Sequence, residues 1–199
     1  GHACRFFMEP MFRHHNRDEF ELFAYSNTRP PDNHTERLKG YFDHWIDVTL
    51  LSDEAMAKRI YSDRIDILVD MAGHTKGNRL LAFAMRPAPI QVGSPIGYGY
   101  TTGLKEVDYF IGDENLTPLG SEPYFAEHVW RIPAPYLAYE PPREVTPDVS
   151  DLPALRKGHV TFGSLTRTVR LNDSVFEVWK EILDRVPNSR LRLDQKPFI

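Results

Sequence analysis

The stretch from Ile65 to Gly103 constrains the fold of this chain more than any other part of the sequence. The short apolar run Ile65–Met71 predicts a buried parallel strand. The residues GHTKG (73–77) follow at once, and two glycines within five residues predict a tight turn. A helix is predicted over Asn78–Met85, ended by Arg-Pro, and a second strand over Ile90–Val92. This order is typical of a βαβ unit, whose ligands bind at the carboxyl ends of the strands.

The rest of the chain supports an α/β fold with a Rossmann-like parallel sheet. Apolar runs and helical periodicity alternate along the sequence, and turn residues separate them. The further predicted strands are Phe20–Tyr25, Trp45–Thr49, Asp108–Gly112, Val129–Ile132, His159–Ser164 and Ser189–Leu193. The further predicted helices are Ala3–His15, Thr35–Phe42, a helix capped by Ser52 that runs to about Asp63, and Asp173–Val186.

A proline-rich segment predicts a domain boundary. Six prolines lie between Pro133 and Pro153, so that no helix or central strand can run through the segment. We interpret residues 133–158 as an interdomain linker. The prediction is therefore a Rossmann-like catalytic half over residues 1–132 and the incomplete start of a second α/β half over residues 159–199.

Composition excludes several classes of partner. The net charge of −4 and the absence of a long Lys/Arg block argue against nucleic acid and anionic membranes. No apolar run approaches the ~20 residues that a membrane span needs, and because charged residues interrupt the first residues we expect that these are not a signal peptide. The single cysteine, Cys4, indicates a reducing compartment, which predicts a cytoplasmic location. Because the sequence opens on Gly-His without a Met, we expect a piece of a larger protein.

The turn at residues 73–77 holds the first candidate site residues. His74 sits between glycines directly after a strand, where a side chain can reach a ligand. Lys76 is placed to meet an anionic or peptide ligand. The alternatives are a surface histidine that only bonds within its turn and a solvated lysine.

The loop IGYGYTTG (96–103) is the second candidate. Its Gly97 and Gly99 allow the backbone to approach a ligand closely, and Gly103 permits an unusual dihedral angle. The glycine spacing is also that of a weak dinucleotide fingerprint, which leaves a dinucleotide-binding oxidoreductase as an alternative. A plain connecting loop is the other alternative.

Arg167 and Arg170 form the third candidate. They precede the helix predicted to begin near Asn172. A helix N-terminus with adjacent arginines is a natural site for phosphate, through backbone N–H groups and bidentate guanidinium contacts. The alternative is a solvated loop. The sequence contains no HExxH, CxxC, GxSxG or Walker A motif, so metal and acyl-transfer chemistry have no support and no metal or cofactor is expected.

Several of these segments together resemble one family. They are DILVDMAGHTKGNRLLAFAMRPAPIQ, IGYGYTTG, DYFIGDE, HVTFGS and VWKEILDRVPNSRL, and the resemblance runs from His2 to Leu193. The chain is similar to the catalytic region of the O-linked N-acetylglucosamine transferase (SPINDLY) family. The resemblance implies two Rossmann-like halves in the glycosyltransferase B architecture, commonly preceded by tetratricopeptide repeats. It also implies transfer of GlcNAc from UDP-GlcNAc to Ser or Thr of proteins with inversion.

The resemblance assigns roles to individual residues. His2 matches a histidine beside the reacting sugar, and Lys76 matches a lysine on the acceptor side, where His74 also lies. Ile96 and Gly97 match a Leu-Gly pair whose backbone holds the sugar hydroxyls. The resemblance places Arg167 near the diphosphate, and it matches Arg170 to a lysine that stabilises the departing UDP. We therefore expect His2 and Arg170 to be catalytic and Ile96, Gly97, Arg167 and Arg170 to bind the donor.

The sequence also departs from the family pattern. A Trp-Leu-Gly-Tyr-Pro-Gly loop of the family is here Ser-Pro-Ile-Gly-Tyr-Gly-Tyr, and the family lysine is Arg170, which keeps the charge but changes its geometry. The family aspartate before His2 and most of the second half lie outside the sequence, so we expect this chain alone to lack a complete active site. A protein O-fucosyltransferase using GDP-fucose and a non-catalytic binding module remain alternatives.

Overall fold

A computed structural model describes residues 4–93, 96, 99–141 and 148–194 of the 199-residue chain. The chain divides into two compact units, Gly1–Val145 and Thr146–Ile199. The helices are α1 (Arg5–His14), α2 (Asn33–Lys39), α3 (Asp53–Ser62), α4 (Leu80–Ala84), α5 (Pro153–Lys157) and α6 (Asp173–Arg185). The strands are β1 (Phe23–Ser26), β2 (His44–Asp47), β3 (Ile67–Val69), β4 (Ile90–Gly93), β5 (Tyr109–Gly112), β6 (His128–Arg131), β7 (Thr161–Ser164) and β8 (Arg190–Leu193).

Every strand pair in the described residues is parallel. In the first unit, β1 pairs with β2, and a separate sheet has the order β3-β4-β5-β6. In the second unit, β7 pairs with β8. The predicted α/β class with parallel sheets is therefore confirmed. Because parallel strands end at the same edge, the loops after β3, β4, β5 and β6 collect on one side of the sheet.

The core of the first unit lies between the four-stranded sheet and the helices α3 and α4. Met56 and Ile60 of α3 and Phe83 of α4 are buried against Leu68 of β3. The sequence of α3 dictates this packing, since its apolar residues recur at helical spacing and Ser52 caps its first turn by accepting the Ala55 N–H. The predicted helix capped by Ser52 is confirmed, as Asp53–Ser62.

The opposite face of the same sheet corrects the prediction that Ile65–Met71 is a buried strand. Only three residues of that run form a strand, and Ile67 and Val69 are 50% and 44% exposed. Alternate residues of a strand point to opposite faces, so Leu68 enters the core while its neighbours do not. Ile67 pairs in register with Ile90, which is also exposed. The run is therefore buried on one side only, although Val92, which pairs in register with Val69, is buried.

The predicted linker, residues 133–158, contains structure at both ends. The Tyr136 N–H donates to Asp113 Oδ2 at 3.0 Å and the Glu140 N–H to the Phe6 carbonyl at 3.0 Å, so residues 133–141 pack on the first unit. At the other end, Pro153 begins α5, a position where the missing N–H of proline is harmless. The division into units falls between these two structured parts. The domain boundaries themselves stay a prediction.

Limited proteolysis tests the predicted boundary. We expect thermolysin to cut first beside Val149 and Leu152, which are 100% and 61% exposed and lie in coil. Mass spectrometry of the first fragments identifies the cut. Earlier cleavage within residues 16–31, with residues 148–152 protected, would contradict the predicted boundary.

Candidate active site

The turn at residues 73–77 is held in place by a buried carboxylate. Asp70 follows β3, is 4% exposed, and accepts the N–H groups of Ala72 at 3.0 Å and Gly73 at 2.8 Å. Burial raises the pKa of the Asp70 carboxyl above its ordinary value, and the two N–H donors oppose that rise. Gly73 and Gly77 have φ of 52° and 82°, which side chains rarely adopt, so the glycines are required here. The result is a fixed turn at the carboxyl edge of the sheet.

This turn presents His74 and Lys76 outward. Both side chains are exposed, and the His74 Nε2 lies 2.9 Å from the Thr101 carbonyl oxygen. A carbonyl can only accept a hydrogen bond, so Nε2 carries a proton and the Nδ1 of a neutral ring remains an acceptor. The contact also joins the turn after β3 to the glycine-rich loop after β4.

Glu127 fixes the far end of that glycine-rich loop. Its carboxylate is buried and accepts the Thr101 hydroxyl at 2.6 Å and the Thr102 N–H at 2.6 Å. The Thr102 hydroxyl donates to the same carboxylate. The Thr101 hydroxyl in turn accepts the N–H groups of Gly103 and Ala126, each at 3.0 Å. Residues 101–103 therefore have little freedom, which keeps the carbonyl that orients His74 in position.

The predicted sugar-binding residues are described only in part. Ile96 is 3% exposed, and Gly97 lies outside the described residues, as does His2. At Gly99 a Cβ would come within 2.5 Å of Leu116 Cδ1, so the close approach in this structure is made by a leucine side chain. Gly103 has a φ of 76°, as the prediction of an unusual dihedral angle requires.

The dinucleotide alternative needs a helix that opens after the glycines. In the described part of the chain from Gly99 to β5 there is no helix. The glycine-rich loop instead crosses to the next strand of the sheet. The described part of the loop therefore lacks the helix N-terminus that would hold a pyrophosphate.

Arg167 and Arg170 lie in the second unit, between β7 and α6. Both are exposed. Arg167 precedes a single 3₁₀ turn and Arg170 ends it, and the Arg170 N–H donates to the Arg167 carbonyl at 2.9 Å. Asn172 caps α6 as predicted, because its side-chain oxygen accepts the Val175 N–H at 3.1 Å. Neither guanidinium has a hydrogen bond or ion pair to a side chain or carbonyl among the described residues. Asp173 adds one negative charge at the start of the helix.

The structure thus brings some of the predicted site residues together. His74 and Lys76 share one turn in the first unit, and Arg167 and Arg170 share one loop in the second. Their assigned roles stay predictions.

Comparison with known proteins places the chain in a family. The family model described as glycosyl transferase family 41 matches residues 1–141. The chain belongs to glycosyltransferase family 41. This finding confirms the predicted family; the matched range includes the turn at residues 73–77 and the loop at residues 96–103 and ends before Arg167 and Arg170.

Relatives of this family 41 chain align over nearly its whole length. A rice protein named as a probable UDP-N-acetylglucosamine–peptide N-acetylglucosaminyltransferase SPINDLY is 37% identical over 99% of the chain. The Arabidopsis protein of the same name is 38% identical over 99% of the chain, and an Arabidopsis protein named as the corresponding transferase SEC is 32% identical. The chain spans only 22% of the length of the two SPINDLY relatives.

A solved structure also resembles the family 41 chain. It is a lysine-to-methionine variant of the O-GlcNAc transferase of Thermobaculum terrenum, with a TM-score of 0.88 and 36% sequence identity. The match covers 96% of this chain and 36% of that one. The predicted glycosyltransferase B architecture agrees with this likeness, which extends over both units.

No described helix has the length and apolar character needed to cross a membrane. Within the same residues, no group of three or more His, Cys, Asp and Glu side chains is arranged to hold a metal ion.

Sequence reasoning missed the residues that hold the site of this family 41 chain in shape. Asp70 carried a local signal, because an acidic residue at the end of an apolar run and before glycine is a common bond acceptor for turn N–H groups. Glu127 carried none, since it bonds to Thr101 across 26 positions of sequence. Only the fold reveals such a partner.

Proposed function

We propose that this chain is part of an inverting glycosyltransferase that moves GlcNAc from UDP-GlcNAc to Ser or Thr hydroxyls of proteins. The observation that carries the proposal is the likeness, at 36% identity and over 96% of the chain, to a structure named as an O-GlcNAc transferase. The relatives whose names specify a UDP-GlcNAc peptide transferase support the same donor and acceptor classes.

The proposed reaction forms one bond and breaks one. The acceptor oxygen bonds to the anomeric carbon of the sugar from the face opposite UDP. The bond from that carbon to the β-phosphate oxygen breaks, and UDP leaves with the electron pair. The acceptor hydroxyl gives up its proton. The protein must therefore orient the hydroxyl, provide a path for the proton, and stabilise the negative charge on the diphosphate.

The candidate residues divide between these tasks. We assign His2, His74 and Lys76 to the acceptor side and Ile96 and Gly97 to the sugar. The fixed turn and the oriented His74 ring suit the positioning of a hydroxyl, since little conformational freedom is left to lose on binding. We assign Arg167 and Arg170 to the diphosphate, where two guanidinium groups and the N-terminus of α6 supply positive charge. We propose that no metal or cofactor takes part.

The setting of the full-length protein is also part of the proposal. We propose a cytoplasmic enzyme with tetratricopeptide repeats before the catalytic region. The single cysteine supports a reducing compartment. The relatives are about five times as long as the chain, which leaves room for further domains.

A binding experiment tests the donor. In the full-length protein, isothermal titration calorimetry is expected to detect UDP binding and to detect no binding of NAD. Transfer assays with UDP-GlcNAc and GDP-fucose then distinguish the two sugar donors, because these donors differ from each other in both nucleotide and sugar. Binding of NAD without binding of UDP would overturn the transferase proposal. If the protein transfers sugar from GDP-fucose and not from UDP-GlcNAc, the proposed donor is wrong and the proposed class of reaction, sugar transfer to a protein, stands.

A further inference from the structure

A cavity opens at the carboxyl ends of β1 and β2, and its described lining contains none of the residues assigned above. Its volume is about 400 Å³. Ser26 and Asp47 are the last residues of the two strands, and the loop after β1 and the helix α2 form the other walls. This size is near the lower end for ligand pockets, which fits one side chain or a small group rather than a whole cofactor.

The charged side chains that line the cavity differ in how many hydrogen-bond partners they have. Asp47 accepts the N–H of Thr49 at 2.8 Å and its hydroxyl at 2.5 Å, and these bonds lower the pKa of the Asp47 carboxyl. Lys39 donates to Glu36 at 2.9 Å. The exposed Arg29 makes no hydrogen bond or ion pair with the described residues, although its positive charge and that of Lys39 also help to lower the pKa of the Asp47 carboxyl. Arg29 is therefore the cation of the lining that can pair with a ligand.

The neutral part of the lining suits a short chain that ends in an anion. Trp45 is half-buried and offers an apolar surface beside the cations, and Ser26 and Thr28 offer hydroxyl donors. A guanidinium binds a carboxylate through two parallel N–H bonds, so Arg29 favours a planar, two-oxygen group. The methylene groups of the same ligand would lie against Trp45. These preferences together describe the side chain of glutamate or aspartate.

The position of the cavity connects it to the acceptor side. Asn27, between the strand β1 and Arg29, donates from Nδ2 to the Gly77 carbonyl at 2.9 Å. Gly77 ends the turn that carries His74 and Lys76. A peptide whose hydroxyl lies at that turn can therefore extend along the same edge of the first unit into the cavity.

We propose that this cavity binds an acidic side chain of the protein acceptor, near the Ser or Thr that receives the sugar, with Arg29 as the pairing residue. The proposal rests on the proposed transferase function and names a feature of its acceptor. It makes Arg29 a residue that determines specificity, without a part in bond formation or cleavage.

A peptide scan with the full-length protein tests the proposal. Ser-containing acceptor peptides carry one glutamate, one glutamine or one lysine at each position flanking the serine. We expect one position at which glutamate raises kcat/KM about tenfold over glutamine, the size of a good charged hydrogen-bonded pair. Arg29→Gln should reduce that ratio to about one. Arg29→Glu should transfer the preference to the peptide with lysine at that position, which loss of structure alone would not do.

A matched control and a binding measurement make the outcome decisive. Lys58→Gln removes a positive charge from the exposed side of α3, outside the cavity lining, and should leave the ratio unchanged. Calorimetry of the same peptides should show tighter binding of the glutamate peptide to the wild type than to Arg29→Gln. Active enzyme with no glutamate preference, or with a preference that survives Arg29→Gln, would overturn this inference alone. Absence of transfer to every peptide, with the binding difference intact, would overturn the proposed function and leave the cavity assignment standing.

Discussion

Arg170→Ala in the full-length protein is expected to lower kcat for sugar transfer by about 100-fold, the size typical for loss of one contact that stabilises transition-state charge. Negative charge on the β-phosphate grows as the bond to the sugar breaks. A guanidinium at that oxygen therefore binds the transition state more tightly than the ground state. Initial rates against donor concentration should show a larger fall in kcat than rise in KM.

The structure makes this experiment easy to interpret. The Arg170 side chain is exposed and has no partner among the described residues, so its removal should change the free energy of unfolding by less than about 0.5 kcal/mol. Arg170→Lys should recover much of the rate, because the family carries lysine at the matching position. Arg156→Ala removes an exposed guanidinium from α5 and should turn over like the wild type. A folded Arg170→Ala protein with wild-type kcat would show that the phosphate role is wrong.

Elements with strong local signals could be predicted from the sequence nearly to the residue. For α6, the predicted Asp173–Val186 compares with Asp173–Arg185 in the structure. Asn172 supplies a cap, the apolar residues keep helical spacing, and proline follows, so local chemistry alone defines both ends. Strands were predicted too long, as Ile65–Met71 against Ile67–Val69 shows. A strand ends where its partner ends, and the partner is not visible in the local sequence.

The turn at residues 73–77 could be predicted from the local sequence, whereas the roles of its residues stay predictions. His74 and Lys76 stand out because glycines surround them at the end of a strand. The contacts that fix them do not, since Glu127 reaches Thr101 and His74 reaches the Thr101 carbonyl only after the sheet has formed. Arg29 was missed for the same reason. In the sequence it is a loop arginine before proline, and only the fold places it beside Trp45 at the mouth of a cavity.

Arg79 also makes contacts with residues distant in the sequence, and among the substitutions considered its removal has the largest expected effect on stability. Its guanidinium donates to Asp53 Oδ1 at 2.8 Å and to the carbonyls of Val48 and Leu51 at 2.6 and 2.7 Å. The Arg79 and Asp53 side chains are only 18% and 24% exposed. One side chain thus joins the residue before α4, the start of α3 and the loop after β2. Its removal would take the donor from the Leu51 carbonyl and the Asp53 carboxylate, whereas the Val48 carbonyl keeps the Leu51 N–H at 3.1 Å.

We expect Arg79→Ala to lower the free energy of unfolding of the first unit by about 2–4 kcal/mol. Loss of one partner of a fully buried pair costs about 3–5 kcal/mol, and the partial exposure reduces that value. Arg79→Lys should give an intermediate loss, because an ammonium keeps the charge but cannot bond to all three acceptors as the planar guanidinium of arginine does.

Arg59→Ala is the matched control: Arg59 pairs with Asp63 on the same unit at 2.8 Å but is 50% exposed, so we expect a change in the free energy of unfolding within about 0.5 kcal/mol. Urea unfolding of the 199-residue chain, followed by tryptophan fluorescence in a Trp179→Phe background, reports the first unit, because Trp45 and Trp130 then supply the signal. Equal midpoints for Arg79→Ala and Arg59→Ala would mean that water replaces the three bonds of Arg79 at no cost, and that the packing of α3 and α4 against the sheet holds these segments together without it.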